Sequence, residues 1–257
     1  MTELLRIFFI ERIPIFEANQ PMPLKYSADR LAVAVDCVIF GFDGKELKLL
    51  LVHRGFDPEK GKWSLVGGFV RKNESLEQAA ARVLKQLTGL SDVYMEQLHA
   101  FGNTERDPVE RTISIAYFAL IDIQKYEKQL SENFDPEWVP LKKIPKLIFD
   151  HREMADAAKK KLQYKAALHP ILFELLPDRF TIPQLLNLYK AVYEIDLDKR
   201  NFIRKLLNAK LLIKQKDKEK ISSKRGAFYY KLDKRRYAGT VQAFISFLPS
   251  KFFGNAT

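Results

Sequence analysis

Residues 67–90, GGFVRKNESLEQAAARVLKQLTGL, constrain the fold of this 257-residue chain more than any other stretch. The two glycines fall within a short apolar run, WSLVGGFV, that reads as a strand. Ser75, with Gln78 three residues on, forms a capping box and predicts a helix start. Leu76, Ala79, Ala80, Val83, Leu84 and Leu87 then recur at helical spacing, and Gly89 supplies the stop. The segment is therefore a strand, a glycine loop and an amphipathic helix with one face to bury.

The neighbouring sequence supplies the sheet. LAVAVDCVIFGF (31–42) and LKLLLVHR (47–54) are apolar, rich in β-branched residues and separated by the turn-like DGKE, which predicts a hairpin. VYMEQLHAFG and RTISIAYFALIDI read as two more strands, and a helix starts near Asp150 and runs through REMADAAKKKLQY. Mixed strands crossed by helices predict an α/β (α+β) domain of α/β/α sandwich type. Pro170 and Pro177 mark a junction. Beyond it, Thr181 and Asp198 cap two helices, and LLIKQKDKEKISSKRGAFYYKL reads as two strands with a charged tip, the pattern of a winged helix-turn-helix. The expected organisation is an N-terminal extension (1–27), a sandwich domain (28–164), a junction (165–180), a winged helix (181–240) and a tail (241–257).

Arg6, Glu11, Arg12 and Pro14 interrupt the apolar N-terminal run and no small-residue cleavage site follows, so neither a signal peptide nor a membrane span is expected. That run is read as an amphipathic segment, or as an extension ahead of a natural start at Met22. A lone Cys37 excludes an internal disulfide framework and fits a reducing cytoplasm. The net charge of +11 is concentrated: residues 181–237 hold 16 Lys and Arg against 6 Asp and Glu. A basic module attached to a near-neutral one is the electrostatic footprint of a nucleic-acid binder.

Gly68, Glu74, Arg82, Gly89 and Leu90 stand at the spacing of the Nudix box, the glycine-loop-helix signature of hydrolases acting on nucleoside diphosphate derivatives. In that family, glutamates just after the arginine hold magnesium. Here those positions are Val83, Gln86 and Leu87. Magnesium wants oxygen ligands in octahedral array, and these three side chains offer at most one weak amide oxygen. Glu74 and Glu77 lie before and on the first turn and cannot replace the set. The frame is kept, no catalytic residue, metal or cofactor is expected, and the Glu74–Arg82 pair is read as structural.

A degenerate Nudix domain followed by a basic winged helix resembles the Nudix-related transcriptional regulators of bacteria. The resemblance runs from about Ala28 onward and rests on WSLVGGFV, ERDPVERTISIAYFAL, LIFDHREM and SKRGAFYYKLD. These segments look most similar to the arabinose-responsive branch; another branch answers to ADP-ribose and regulates NAD metabolism. The resemblance implies a homodimer that grips a palindromic double-stranded DNA operator and senses a small effector, with a sugar such as L-arabinose expected first. Two other classes stay open: an atypical hydrolase with a displaced metal site, and an inert dimerisation scaffold.

For the effector, Asp36 is the leading candidate, because alternation puts it beside Ala34 and Val38 and a buried carboxylate needs partners. An arginine or backbone contact within the chain would satisfy it equally well. Arg106, Asp107 and Arg111 lie on a loop that borders the pocket in the family, and Arg54, Asp150 and His151 sit at element ends nearby. For DNA, the helix after Asp198 is expected to bury Phe202, Ile203, Leu206 and Leu207 and to present the rest. Arg200, Asn201 and Arg204 can read bases in bidentate geometry. Lys199, Lys205 and the hairpin residues Lys220, Ser222, Ser223, Lys224 and Arg225 suit phosphates.

Overall fold

The structure, a computed structural model, describes residues 30–126, 130, 135–220 and 226–237. Strand β1 (Ala32–Phe42) is the spine of a seven-stranded mixed sheet. It pairs antiparallel with β2 (Leu47–His53) at one end and with β4 (Val66–Phe69) at the other, while β3 (Trp63–Ser64) pairs with the end of β2. On its far side β1 runs parallel to β6 (Thr112–Asp122), and β5 (Tyr94–Phe101) adds antiparallel to β6. The parallel pair needs a crossover, and α1 (Leu76–Thr88) lies within the connection.

The capping box is formed as the residues dictate. Ser75 Oγ accepts from the Gln78 amide at 3.2 Å, and the Ser75 amide donates to Gln78 Oε1 at 2.8 Å. Gly89 ends α1 in the left-handed region at φ 79°, where a Cβ would be strained. Alternation along β1 sorts the core. Val35, Cys37 and Ile39 pack with Ala80, Val83 and Leu84 of α1. Val38, Phe40 and Phe42 pack on the other face with Met154, Ala158 and Leu162 of a second long helix. Asp36 belongs to this second row.

Two elements escape a reading by periodicity, the short helix α2 (Ile123–Tyr126) and the edge strand β7 (Glu137–Pro140), which pairs with β2. The second long helix, α3 (His151–Leu168), leads into a 3₁₀ turn, Ile171–Leu175. This junction is packed: Ile171, Leu172, Leu175 and Leu176 are buried in the same cluster as Val38 and Leu185. The winged helix follows as β8 (Phe180–Thr181), α4 (Ile182–Tyr193), α5 (Lys199–Asn208), β9 (Leu212–Glu219), β10 (Ala227–Leu232) and α6 (Lys234–Tyr237). Its sheet has the order β8-β10-β9. On α5, Phe202 and Leu206 are buried as expected, but Leu207 is 45% exposed. The helix packs through a stripe too narrow to include it, with Phe202 edge-on to Tyr189 of α4. No helix among the described residues is long and apolar enough to cross a membrane.

Candidate functional site

The box helix has the frame of a metal site without its ligands. Arg82 Nε and Nη2 donate to both Glu74 oxygens at 2.8 and 2.6 Å, and Nη2 also reaches the Phe69 carbonyl at 2.9 Å. The paired guanidinium pulls the Glu74 carboxyl down to about 2. Val83 is buried under the glycine loop, and a Cβ on Gly68 would stand 3.1 Å from Val83 Cγ2. Gln86 accepts from Arg82 Nη1 at 3.1 Å, and Leu87 packs against the core. The residues present do not fit magnesium: the space a carboxylate would need at position 83 is filled by hydrocarbon.

On the opposite face of the sheet, buried charge is retained. Asp36 accepts from Ser114 Oγ at 2.6 Å on Oδ2, with Arg106 Nη2 at 3.6 Å from the same oxygen. Arg106, itself buried, is held by the N-cap residue of α3 through a two-pronged pair, Nε and Nη2 to Asp150 at 2.9 and 2.8 Å. His151 Nδ1 accepts from the Leu65 amide at 3.1 Å, and Nε2 lies 3.6 Å from Asp36 Oδ1. Burial lowers the His151 pKa against the opposing pull of Asp36 and Asp150, so the ring is neutral with its proton on the Asp36 side. Two carboxylates against one guanidinium leave a negative excess, which suits hydrogen-bond donors from a ligand. Gly67, paired with Asp36 across the strands, makes room for it: a Cβ there would come within 1.9 Å of Oδ1.

Asp36, Arg54, Arg106, Asp107 and His151 line one small cavity of about 70 Å³. Asp150 lines a larger open cleft beside it, and Arg106 and Phe149 belong to both. Arg54 lies over the rings of Phe56 and Phe149, at 4.0 and 5.2 Å. Phe56 and Phe69 face the cavity with large exposed surfaces. Arg111 is not brought in. Its guanidinium donates to the carbonyls of Gly102 and Asn103 at 2.9 and 3.1 Å and ties the loop to its strand. Sequence reasoning missed Ser114, Phe56, Phe69 and Phe149, since their roles depend on strand register and loop path.

Helix α3 joins this site to the winged helix. Its far half is fixed to the end of α4 by Lys159 Nζ–Glu194 at 2.8 Å, Gln163 Nε2 to the Val192 carbonyl at 2.8 Å and Tyr193 Oη to the Gln163 carbonyl at 2.8 Å. On α5, Lys199, Arg200, Asn201 and Arg204 are exposed and Lys205 is half-buried. Arg204 Nη2 donates to Asn201 Oδ1 at 2.9 Å, so two of the expected base readers are oriented by each other. Lys220 is exposed at the end of β9, whereas Ser222, Ser223, Lys224 and Arg225 lie outside the described residues. The structure adds Lys214, Lys216 and Lys218, alternate residues on the Lys220 side of β9 and roughly 6.8 Å apart by strand geometry. Lys214 and Lys218 Nζ sit over the Phe228 ring at 3.7 and 4.5 Å. The signal for them was the alternation in KQKDKEK.

A sandwich with a box that cannot hold magnesium, joined through α3 and a shared apolar core to a basic winged helix, defines a Nudix-related regulator. A NUDIX domain model matches residues 30–159, and a model of the NrtR DNA-binding winged helix domain matches residues 172–232. The chain is 33% identical over 225 residues to the ADPR responsive transcriptional repressor NtrR of Acinetobacter baylyi, covering 86% of each. It is 36% identical over 124 residues to an ADP-ribose pyrophosphatase of Methanocaldococcus jannaschii, covering 48% of this chain and 70% of that one. The crystal structure of Shewanella oneidensis NrtR complexed with a 27mer DNA superposes with a TM-score of 0.70 at 32% identity, over 80% of this chain and 95% of that one. The chain belongs to the NrtR family of Nudix-domain, DNA-binding transcriptional regulators. The arabinose-responsive branch expected from the sequence is not supported. The segments on which it rested include β4, β6, the start of α3 and β10, and the cavity residues they contribute, among them Arg106, Asp107 and His151, would serve a sugar or any other hydroxyl-bearing ligand alike.

Proposed function

We propose that the chain is an ADP-ribose-responsive transcriptional regulator acting as a homodimer on an inverted-repeat operator, with no Nudix hydrolase activity. The observation that carries this reading is the Asp36–Arg106–Asp150–His151 cluster at the start of α3, buried except for the half-buried Asp150, beside exposed aromatic rings. The negative excess around Asp36 suits ribose hydroxyl donors. Phe56 and Phe69 offer flat apolar surface to a purine, and Arg54 offers charge to a pyrophosphate. A ligand of that size cannot sit in the small cavity alone; it would extend past Arg106 and Phe149 into the open cleft. Any shift of Asp150 and His151 on binding would be carried along α3 to α4, and through the Tyr189–Phe202 contact to α5. By linkage, operator DNA and effector must alter each other's affinity by the same factor.

Melting shifts with ADP-ribose, AMP and L-arabinose test the reading, alongside gel shifts at several salt concentrations. ADP-ribose at a hundred times its dissociation constant should add about 2.7 kcal/mol of stability. Phe56→Ala and Arg54→Ala, both at the cavity mouth, should remove that shift while the apo protein stays folded. Arg200→Ala or Asn201→Ala should weaken the cognate operator by roughly 1–3 kcal/mol and relax base preference, whereas Lys216→Ala should weaken all sequences alike and flatten the salt slope. A melting shift with arabinose and none with ADP-ribose would return the effector to the sugar class. The likeness to an ADP-ribose pyrophosphatase favours a second reading, hydrolysis; chelator-sensitive release of AMP from ADP-ribose would establish it over the proposal.

A further inference from the structure

We infer that His53, Asp135 and Glu137 form a binding site for a divalent transition-metal ion of the zinc type, separate from the box helix and from the effector cluster. One ligand atom from each lies within 4.8 Å of the other two. Strand register and a turn together give the arrangement. Leu51 of β2 pairs with Glu137, the first residue of β7, so His53 lies two residues beyond it along β2, and Asp135, just ahead of β7 with a left-handed backbone at φ 45°, turns back toward both. The imidazole is fixed on its other flank by Trp63, its β3 partner, with ring centroids 3.8 Å apart. Among the described residues, neither carboxylate has a cation partner, so two negative charges face one imidazole at a sheet edge.

The donor set selects the class of ion. Magnesium and calcium take oxygen ligands, whereas imidazole with carboxylates suits zinc and its neighbours. Zinc held at about 2.0–2.2 Å by nitrogen and oxygen draws its ligands closer together than the present separations, a change within reach of the exposed acid side chains. Three protein ligands leave a fourth position for water. Bound there, the ion would clamp β7 to the end of β2, immediately before Arg54 of the effector cavity.

The test uses the full chain, stripped with a chelator, freed of it and titrated calorimetrically with ZnCl₂, with MgCl₂ as the comparison. The expected result is one zinc per chain and no comparable magnesium binding. Asp135→Asn and Glu137→Gln, conservative changes at exposed positions, should each weaken zinc at least tenfold with circular dichroism unchanged, and His53→Gln should abolish the site. Cobalt should quench Trp63 fluorescence in the wild type and not in His53→Gln. The inference is overturned if no stoichiometric zinc binding is found, or if these three substitutions leave it intact while His99→Gln removes it. None of these readouts involves ADP-ribose or DNA, so the outcome is independent of the effector and the operator.

Discussion

Gly67 and Gly68 are neighbours on β4, yet they face opposite sides of the sheet and opposite kinds of surroundings. Gly68 abuts Val83, at a box position that in a Nudix hydrolase holds a metal-binding glutamate. Gly67 abuts Asp36, a buried carboxylate with Arg106, Ser114 and His151 around it. On the α1 side the chain has hydrocarbon where an external ion would have been needed to balance carboxylates. On the α3 side it keeps carboxylates, because Arg106 supplies the balancing charge from within. A buried charge is tolerable when its partner is covalently part of the same fold, and costly when the partner can leave. The comparison teaches that the box frame and the ion it once implied are separable: Glu74 and Arg82 brace the loop whether or not a metal lies beneath it.

The severest way to break this contrast is to remove the internal counter-charge. Arg106→Met deletes a buried guanidinium and leaves Asp36 and Asp150 facing each other without compensation. Removing one partner of a buried pair costs about 3–5 kcal/mol, so this variant should show a large fall in urea midpoint. Asp150 would also lose its hold on the start of α3. A fall below about 1 kcal/mol would mean that water already screens the cluster, and that the negative excess argued for ribose hydroxyls is not felt.

A gentler comparison substitutes the two glycines by alanine. At Gly67 the new methyl would overlap Asp36 Oδ1 at 1.9 Å, which forces the carboxylate out of place or the strands apart. At Gly68 it would meet the end of the Val83 side chain at 3.1 Å, where a few tenths of an ångström of movement relieve the contact. Gly67→Ala should therefore cost about 1–3 kcal/mol, the range for forced overpacking, and should abolish the ADP-ribose melting shift. Gly68→Ala should cost clearly less and leave that shift in place. Equal costs would show that the strand backbone, rather than the side-chain partner opposite each glycine, decides what is tolerated here.

The α1 half of this comparison was largely legible in the sequence. Caps, helical stripe, box spacing and the missing glutamates are all local, within residues 67–90, and the structure places each where the spacing put it. Asp36 was legible as a charge in an apolar alternation, but its partners were not. Arg106 reaches it from a loop 70 positions on, and Ser114 from a strand whose parallel register with β1 no local pattern encodes. Arg111 and Leu207 show the same gap in reverse. Both have the right residue type at a plausible place, yet loop carbonyls claim the first and a narrow packing stripe excludes the second. The effector branch was illegible for a further reason. Phe69 and Phe149 stand within the very segments that carried the resemblance and Phe56 stands outside them, yet all three line the cavity and no spacing rule picks them out.

The smallest expected effect concerns the brace itself, and pH exposes it. Arg82 holds the Glu74 carboxyl at about 2 in the folded protein, against an ordinary value of 4.5. A carboxylate whose folded pKa is depressed contributes stability above its unfolded pKa, and that contribution is lost as pH falls through the folded value. The wild type should therefore melt above Glu74→Gln at neutral pH, with the gap constant down to about pH 5. Between pH 4.5 and 2 the gap should close, because the wild-type residue becomes a neutral acid much like the glutamine. The pair is part-exposed, so added salt should also narrow the gap. The Asp36 side offers the control: Arg106 is buried, so the melting difference between wild type and Arg106→Met should resist salt at neutral pH. If both differences fade alike with salt, the two sides of the sheet do not differ in how firmly each holds its charges.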